Sequence, residues 1–210
     1  MSESGALYTL LIAVPVILAA ISVHEMMHAL TSLWLGDDTA QRDGRISLNP
    51  LRHIDPVLTV ALPALLVILG LPPFGAAKPV MINMHRVKWQ EFGGAIIAMA
   101  GPLSNLIMAA GGALIVRLLD PAQASQLVVD VLGWFIIINI GFFVFNSIPW
   151  PPLDGSRLLY AFAPPPLQRF MDSLEQQGML GIFALILLIT YTPAGQVLVN
   201  INRALTRGLL

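Results

Sequence analysis

The sequence of 210 residues contains no cysteine and few charged residues. The missing thiols exclude a disulfide framework and a thiolate zinc site, so any bound metal must use His, Asp or Glu. Charged residues make up 11% of the chain, whereas soluble domains carry about 25%, and 56% of the residues are hydrophobic. With a mean hydropathy of +0.77, the composition predicts a protein of the lipid bilayer. The net charge of −1 gives no electrostatic argument for a nucleic-acid partner.

The N-terminus lacks the features of a cleaved signal peptide. Residues 1–5 carry no positive charge, and the first apolar run continues to about Leu35 without a small-residue cleavage site. We therefore predict a retained membrane helix at the start of the chain. The length suits one domain, and neither repeats nor low-complexity tracts divide it. The sequence thus predicts a single membrane-embedded domain over residues 1–210.

Apolar runs separated by Pro, Gly and charge indicate an all-α polytopic membrane protein with about 4–6 transmembrane or re-entrant helices. Residues 92–119 and 126–149 each have the length of a span, which needs about 20 residues. The run 57–71 is shorter, and it permits either a full span or a segment that enters and leaves on one side. Alternation in residues 44–49 and an extended segment at 79–83 predict a small β element at the cytosolic membrane surface.

Positive residues distinguish the two topologies. If residues 57–71 are re-entrant, one side of the membrane holds eight of them: Arg42, Arg45, Arg52, Lys78, Arg86, Lys88, Arg157 and Arg169. The other side then holds Arg117, Arg203 and Arg207. Because Lys and Arg concentrate in cytoplasmic loops, we predict a re-entrant segment and an N-terminus outside the cell. The protein is then a multi-pass protein of the cell membrane.

An H-E-x-x-H pattern occupies residues 24–28 inside the first apolar helix. Residues i and i+4 of a helix lie on one face, so both imidazoles can bind one metal ion while Glu25 acts on a water. Catalytic zinc usually has three protein ligands and one open position. The longer metalloprotease signature supplies the third ligand as a histidine that follows a glycine. In this sequence those two positions are Thr31 and Trp34, so the longer signature is not present.

Asp154 is the best candidate for the third ligand. It follows a segment whose prolines cannot continue a regular helix, and irregular backbone at membrane depth is tolerated where it lines a wet cavity. In the preferred topology Asp154 shares the side of the membrane with His24 and His28, which places the site nearer the cytosolic face. The other candidates lie in surface loops, at a surface helix start or on the opposite side: His53, His85, Glu91 and Asp130.

This ligand set predicts zinc-dependent hydrolysis. Zinc polarises the scissile carbonyl and lowers the pKa of a water toward about 7, while Glu25 takes the water proton and passes it to the leaving amine. A metal-binding transporter is one alternative, but it requires a polar path through several helices. A catalytically inactive scaffold is another, and the intact Glu25 argues against it. Asn105 and Asn146 can equally be residues that only form hydrogen bonds between helices, and for Asn139 this is the better interpretation.

Three motifs together resemble the site-2 protease family of intramembrane zinc metalloproteases. They are H-E-x-x-H at residues 24–28, G-P-x-x-N at 101–105 and N-x-x-P-x-P-P-L-D-G at 146–155. The linking segments 44–50 and 77–80 also resemble the compact bacterial and archaeal members, and the chain lacks the PDZ or CBS domain of larger ones.

The resemblance implies three zinc ligands: His24, His28 and Asp154. It implies Glu25 as the catalytic base, and Asn105 and Asn146 as polar residues near the site that contact the substrate. The implied substrates are transmembrane segments of membrane-tethered regulators or leftover signal peptides. Because a substrate helix must unwind before its amide reaches zinc, we expect residues 79–83 to hold the unwound strand by β-augmentation.

Overall fold

The computed structural model describes residues 3–61, 65, 77–120 and 124–210, and this part of the chain is helical. The first elements are α1 (Glu3–Trp34), α2 (Thr39–Arg42), a 3-10 helix (Pro50–Arg52) and a π-helical turn (Pro56–Ala61). Two long helices follow, α3 (Gln90–Leu118) and α4 (Gln126–Asn146). The chain ends with α5 (Asp154–Phe162), α6 (Pro165–Gln176), α7 (Met179–Tyr191) and α8 (Pro193–Leu209).

Among the described residues, three helices are long and apolar enough to cross a membrane: Leu7–Trp34, Gln90–Leu118 and Gln126–Asn146. α6 and α7 are bent by 99° relative to each other, so they give a fourth span only if the two helices together are counted as a single broken span. The expectation of about 4–6 transmembrane or re-entrant helices is therefore too high for the described residues. One reason is that the 13 residues of α7 reach only about 20 Å. Most of the run 57–71 lies outside the described residues, so its re-entrant course stays a prediction.

α3 lies at the centre of the fold and packs against α1, α4 and α5. Leu35, just after α1, packs against Ile97 near the start of α3, whereas Ala20 accepts a hydrogen bond from Asn105 further along. The two helices are therefore antiparallel. The buried core between α3 and α4 consists of Ala109, Ala113, Ile136, Ile140 and Val144. α8 packs against this core through Leu198, Leu205 and Leu209.

The predicted small β element is wrong for the described part of the chain, which contains no strand at residues 44–49 or 79–83. The first segment contains a buried arginine. Arg45 is 4% exposed, and its guanidinium donates to the carbonyls of Arg52 and Lys78. These carbonyls bond to a side chain, and no neighbouring strand is needed to satisfy them.

Residues 77–83 form a segment without helix, strand or turn that we call the strap. At one end the N–H of Lys78 donates to the carbonyl of His53, a residue that is buried and not at the surface as predicted. At the other end the N–H of Asn83 donates to Oδ2 of the buried Asp37 over 2.7 Å. Burial alone would raise the pKa of Asp37, but hydrogen bonds from Thr39 and Asn83 hold it below its usual range. Both ends of the strap are thus fixed.

Candidate metal centre

The structure brings together His24, His28 and Asp154, which come from α1 and the start of α5. Oδ2 of Asp154 lies 3.1 Å from Nε2 of His24 and 3.5 Å from Nε2 of His28. The two imidazole rings meet edge to face with their centroids 4.6 Å apart. Both histidines are buried, and the Asp154 side chain is 22% exposed. The cluster is therefore partly accessible on the Asp154 side.

α3 orients both imidazoles through their Nδ1 atoms. Nδ1 of His28 lies 2.8 Å from the carbonyl oxygen of Ile97, and Nδ1 of His24 lies 2.6 Å from Oδ1 of Asn105. Because carbonyl and amide oxygens only accept, each ring donates from Nδ1–H. The Nε2 lone pairs are then left for another partner, and both point toward the Asp154 carboxylate.

These three acceptors fit zinc. Two nitrogen lone pairs and a carboxylate oxygen repel one another unless a cation or a proton lies between them. Tetrahedral zinc with ligands at about 2.0–2.2 Å separates neighbouring ligand atoms by about 3.3–3.6 Å, close to the 3.1 and 3.5 Å found here. The donor set of two imidazoles and one carboxylate is also that of catalytic zinc sites.

Gly101 of α3 provides the space that the imidazoles occupy. It belongs to a stripe on α3, with Ile97 and Asn105 one turn to either side, that faces α1. A Cβ atom at position 101 would lie 2.4 Å from Nε2 of His28 and 2.6 Å from Nε2 of His24. Only glycine lets the helix approach the metal-ligating atoms this closely.

Asp154 reaches the histidines because the chain turns sharply after α4. The prolines of residues 149–152 stop the helix, and α5 begins at Asp154. A Cβ atom at Gly155 would lie 2.3 Å from the carbonyl oxygen of Ser147, so glycine allows α5 to pack against the end of α4.

Glu25 and the two predicted asparagines have different positions relative to this cluster. Glu25 is half-buried on α1, three residues before His28, and it makes no hydrogen bond or ion pair with the described residues. Asn146 is half-buried and donates to the carbonyl of Phe142, without contact to the three ligands, so its predicted place near the site stays a prediction. Asn105 is wholly buried and hydrogen-bonded within the protein. Its side chain is the hydrogen-bond partner of His24 Nδ1, and its predicted contact with a substrate stays a prediction.

One group of the site gives no signal in the sequence. Ile97 contributes only its carbonyl oxygen, for which no side-chain pattern is diagnostic. The interpretation of Asn139 as a residue that hydrogen-bonds between helices is confirmed, since it accepts a hydrogen bond from Asn105 over 2.8 Å. A polar residue in an apolar helix is a recognisable signal of function, but its partner depends on how α4 packs against α3.

Comparison with known proteins places the chain among bacterial metalloproteases. No family model matches it, and no solved structure matches it. The chain is 33% identical over 185 residues to "Putative zinc metalloprotease YwhC" of Bacillus subtilis, an alignment that covers 85% of this chain and 80% of the relative. It is 31% identical over 182 residues to "Putative zinc metalloprotease Rip2" of Mycolicibacterium smegmatis, covering 84% of this chain and 65% of the relative.

The Rip2 protein of Mycobacterium tuberculosis H37Rv gives a similar match. It is 30% identical over 182 residues, with coverage of 85% of this chain and 66% of the relative. The chain thus spans a little under two thirds of the length of the Rip2 proteins and a larger share of YwhC. On these identities and coverages, the chain belongs to the zinc metalloprotease family of YwhC and Rip2, the site-2 protease-like family that its three motifs resemble.

Proposed function

We propose that this protein is an intramembrane zinc metalloprotease that hydrolyses peptide bonds within or near transmembrane segments of membrane-tethered substrates. The observation that carries the proposal is the convergence of two imidazole lone pairs and the Asp154 carboxylate next to Glu25. The histidines belong to an apolar helix, and His28 lies six residues, or about 9 Å, before its end at Trp34. Membership in a family of zinc metalloproteases supports the same reaction class.

Each residue of the site has a definable task in peptide hydrolysis. Zinc, when bound, supplies a Lewis acid that polarises a carbonyl and activates water. Asp154 and the two histidines hold it, and the Nδ1 hydrogen bonds keep the ring lone pairs directed inward. Glu25, which makes no hydrogen bond or ion pair with the described residues, accepts the proton of the attacking water on a carboxylate oxygen and donates it to the leaving amine.

The proposed setting follows from the same geometry and from the charge distribution. The single domain of residues 1–210 lies in the cell membrane with several passes, and the site is nearer the cytosolic face. Its substrates are transmembrane peptides, either membrane-tethered regulators or signal-peptide remnants. Three apolar helices support the membrane location, and the excess of Lys and Arg in loops near the site supports the orientation.

Proteolysis with purified protein in lipid vesicles tests this function. The substrate is a single-span peptide, and a water-soluble peptide with the same cleavage sequence serves as the control. We expect cleavage of the membrane-spanning peptide, loss of cleavage with a zinc chelator and recovery when zinc is restored. Cleavage that continues in the chelator, or equal cleavage of the soluble peptide, contradicts the proposal.

The strap supports a way to hold the unwound substrate. No hydrogen bond to the described residues involves the backbone groups of Val80, Met81 and Ile82. Ile82 packs against the cluster that contains Ile97, the residue whose carbonyl binds His28. These backbone groups, which have no hydrogen bond to the described residues, therefore belong to a segment that packs against the cluster around Ile97. An extended substrate can bond to them by β-augmentation, which needs one unpaired edge.

Proline substitution within the strap tests this role. Proline removes one N–H group, and alternate N–H groups of an extended segment point to opposite sides. We therefore expect cleavage to fall either in Met81→Pro, or in each of the single variants Val80→Pro and Ile82→Pro. The expected loss of kcat/KM is roughly 2- to 10-fold, the value of one hydrogen bond. Alanine at the same positions is the control for side-chain loss. If no proline in residues 80–83 changes cleavage, the strap does not bind substrate.

A further inference from the structure

Asn139 of α4 is a buried polar residue that the proposed reaction does not use. Its side chain is wholly buried, as is that of Asn105 on α3. Nδ2 of Asn105 donates to Oδ1 of Asn139 over 2.8 Å, and Nδ2 of Asn139 donates to the carbonyl of Phe135 over 2.8 Å. With the 2.6 Å contact between Asn105 and His24, these bonds form one continuous chain. We call this chain the amide relay: His24, Asn105, Asn139 and the Phe135 carbonyl.

The amide relay has a fixed direction because it ends on a main-chain carbonyl. The carbonyl of Phe135 can only accept, so Asn139 must turn Nδ2 toward it and Oδ1 toward Asn105. That oxygen in turn requires the Nδ2 group of Asn105, which also faces the carbonyl of Ala20 at 3.3 Å. Oδ1 of Asn105 is then left for His24, which must donate from Nδ1–H.

Both histidines therefore carry their ring proton on Nδ1, but different hydrogen-bond partners hold it there. His28 donates directly to a main-chain carbonyl, that of Ile97. His24 has no main-chain carbonyl at its Nδ1 and reaches that of Phe135 through two amides. Without Asn139, only the longer 3.3 Å hydrogen bond to the Ala20 carbonyl opposes a half-turn of the Asn105 amide, which would present Nδ2 to the ring. His24 would then place its proton on Nε2, where the metal must bind.

We propose that Asn139 is a positioning residue that fixes the Asn105 amide and, through it, the Nε2 lone pair of His24 for the metal. The inference rests on the proposed zinc site, but it concerns α4, which supplies none of the three ligands. Outer-shell hydrogen bonds of this kind change metal affinity by about 10- to 100-fold. Since Asn139 acts one residue further out than Asn105, we expect the lower end of that range.

A double-mutant cycle on zinc affinity tests the relay, with affinity measured by competition against a chelating dye. We expect Asn139→Leu to weaken zinc binding about 10-fold and Asn105→Leu to weaken it about 10- to 100-fold. The double variant should bind zinc no more weakly than Asn105→Leu alone, because Asn139 acts only through Asn105. Wild-type affinity in Asn139→Leu, or losses that multiply in the double variant, overturns the proposal.

Controls separate positioning from folding. Asn139→Ser keeps a hydroxyl for the Phe135 carbonyl but loses the amide oxygen that Asn105 needs, so it should also weaken zinc binding. Ile140→Ala leaves a cavity in the same core, and it should lower the thermal unfolding temperature without changing zinc affinity. Equal zinc loss in Ile140→Ala and Asn139→Leu would show that α4 packing alone matters.

Ring ¹⁵N chemical shifts test the relay independently of zinc. In metal-free protein at a pH where histidines are neutral, His24 should carry its proton on Nδ1 in the wild type. Asn139→Leu should produce a mixture of tautomers for His24 and leave His28 unchanged. An unchanged His24 signal rejects the relay. Failure of the wild type to bind zinc, with the tautomer shift still present, rejects only the proposed protease function.

Discussion

A Glu25→Gln protein should bind zinc as tightly as the wild type and cleave a membrane-spanning peptide roughly 10²- to 10⁴-fold more slowly. Glutamine keeps the shape of the side chain but cannot accept the proton of the attacking water. Zinc affinity is unaffected because Glu25 is not among the residues that converge on the site. The measurement is cleavage rate in vesicles together with zinc content of the same preparation.

The matched control for this prediction is Glu91→Gln. Glu91 is an exposed acid in the first turn of α3, outside the metal centre. Its substitution should leave both cleavage and zinc content unchanged. If Glu25→Gln cleaves at the wild-type rate, another group must be the base. If it loses zinc as well, Glu25 contributes to metal binding and its assignment as base is not supported.

A Gly101→Ala protein should fold but lose most of its zinc affinity, by more than about 100-fold, and with it the cleavage activity. The added Cβ atom lies 2.4 Å from Nε2 of His28 and 2.6 Å from Nε2 of His24, which are the atoms that must face the metal. Neither ring can withdraw without breaking its Nδ1 hydrogen bond to Ile97 or Asn105. One methyl group therefore displaces two ligands.

Gly111→Ala in the same helix is the control. Apart from the backbone of its own helix and its chain neighbours, no described atom lies within 4 Å of a Cβ atom at that position, so the change should leave zinc affinity and cleavage at wild-type values. Both alanines favour helix over glycine by up to about 1 kcal/mol, which makes thermal unfolding a check that each variant is folded. Wild-type zinc affinity in Gly101→Ala would show that α3 does not approach the imidazoles as the structure indicates.

The sequence is informative about the site where the chemistry follows from local spacing. The i, i+4 spacing in α1 places His24 and His28 on one face regardless of the rest of the fold. Asp154 was expected because few acids remain at suitable depth, and the structure brings it to the same cluster. The helical class and the apolar spans follow from composition and run length in the same way.

The remaining features depend on packing between distant parts of the chain. Alternation at residues 44–49 predicted a strand, but Arg45 is buried by carbonyls of segments that no local pattern connects to it. The partner of Asn139 depends on the register of α4 against α3, which sequence spacing does not contain. For the same reason, neither the Ile97 carbonyl nor the burial of Asn105 could be foreseen.

The most direct test of the account is a zinc titration of the wild type and of Asp154→Asn against a competing chelator. Asparagine preserves the size of the side chain but removes the charged oxygen ligand that joins the two histidines. We expect a single tightly bound zinc ion in the wild type and an affinity more than about 100-fold lower in Asp154→Asn. Equal affinity in the two proteins, or no zinc binding by the wild type, would contradict the assignment of this cluster as the metal centre.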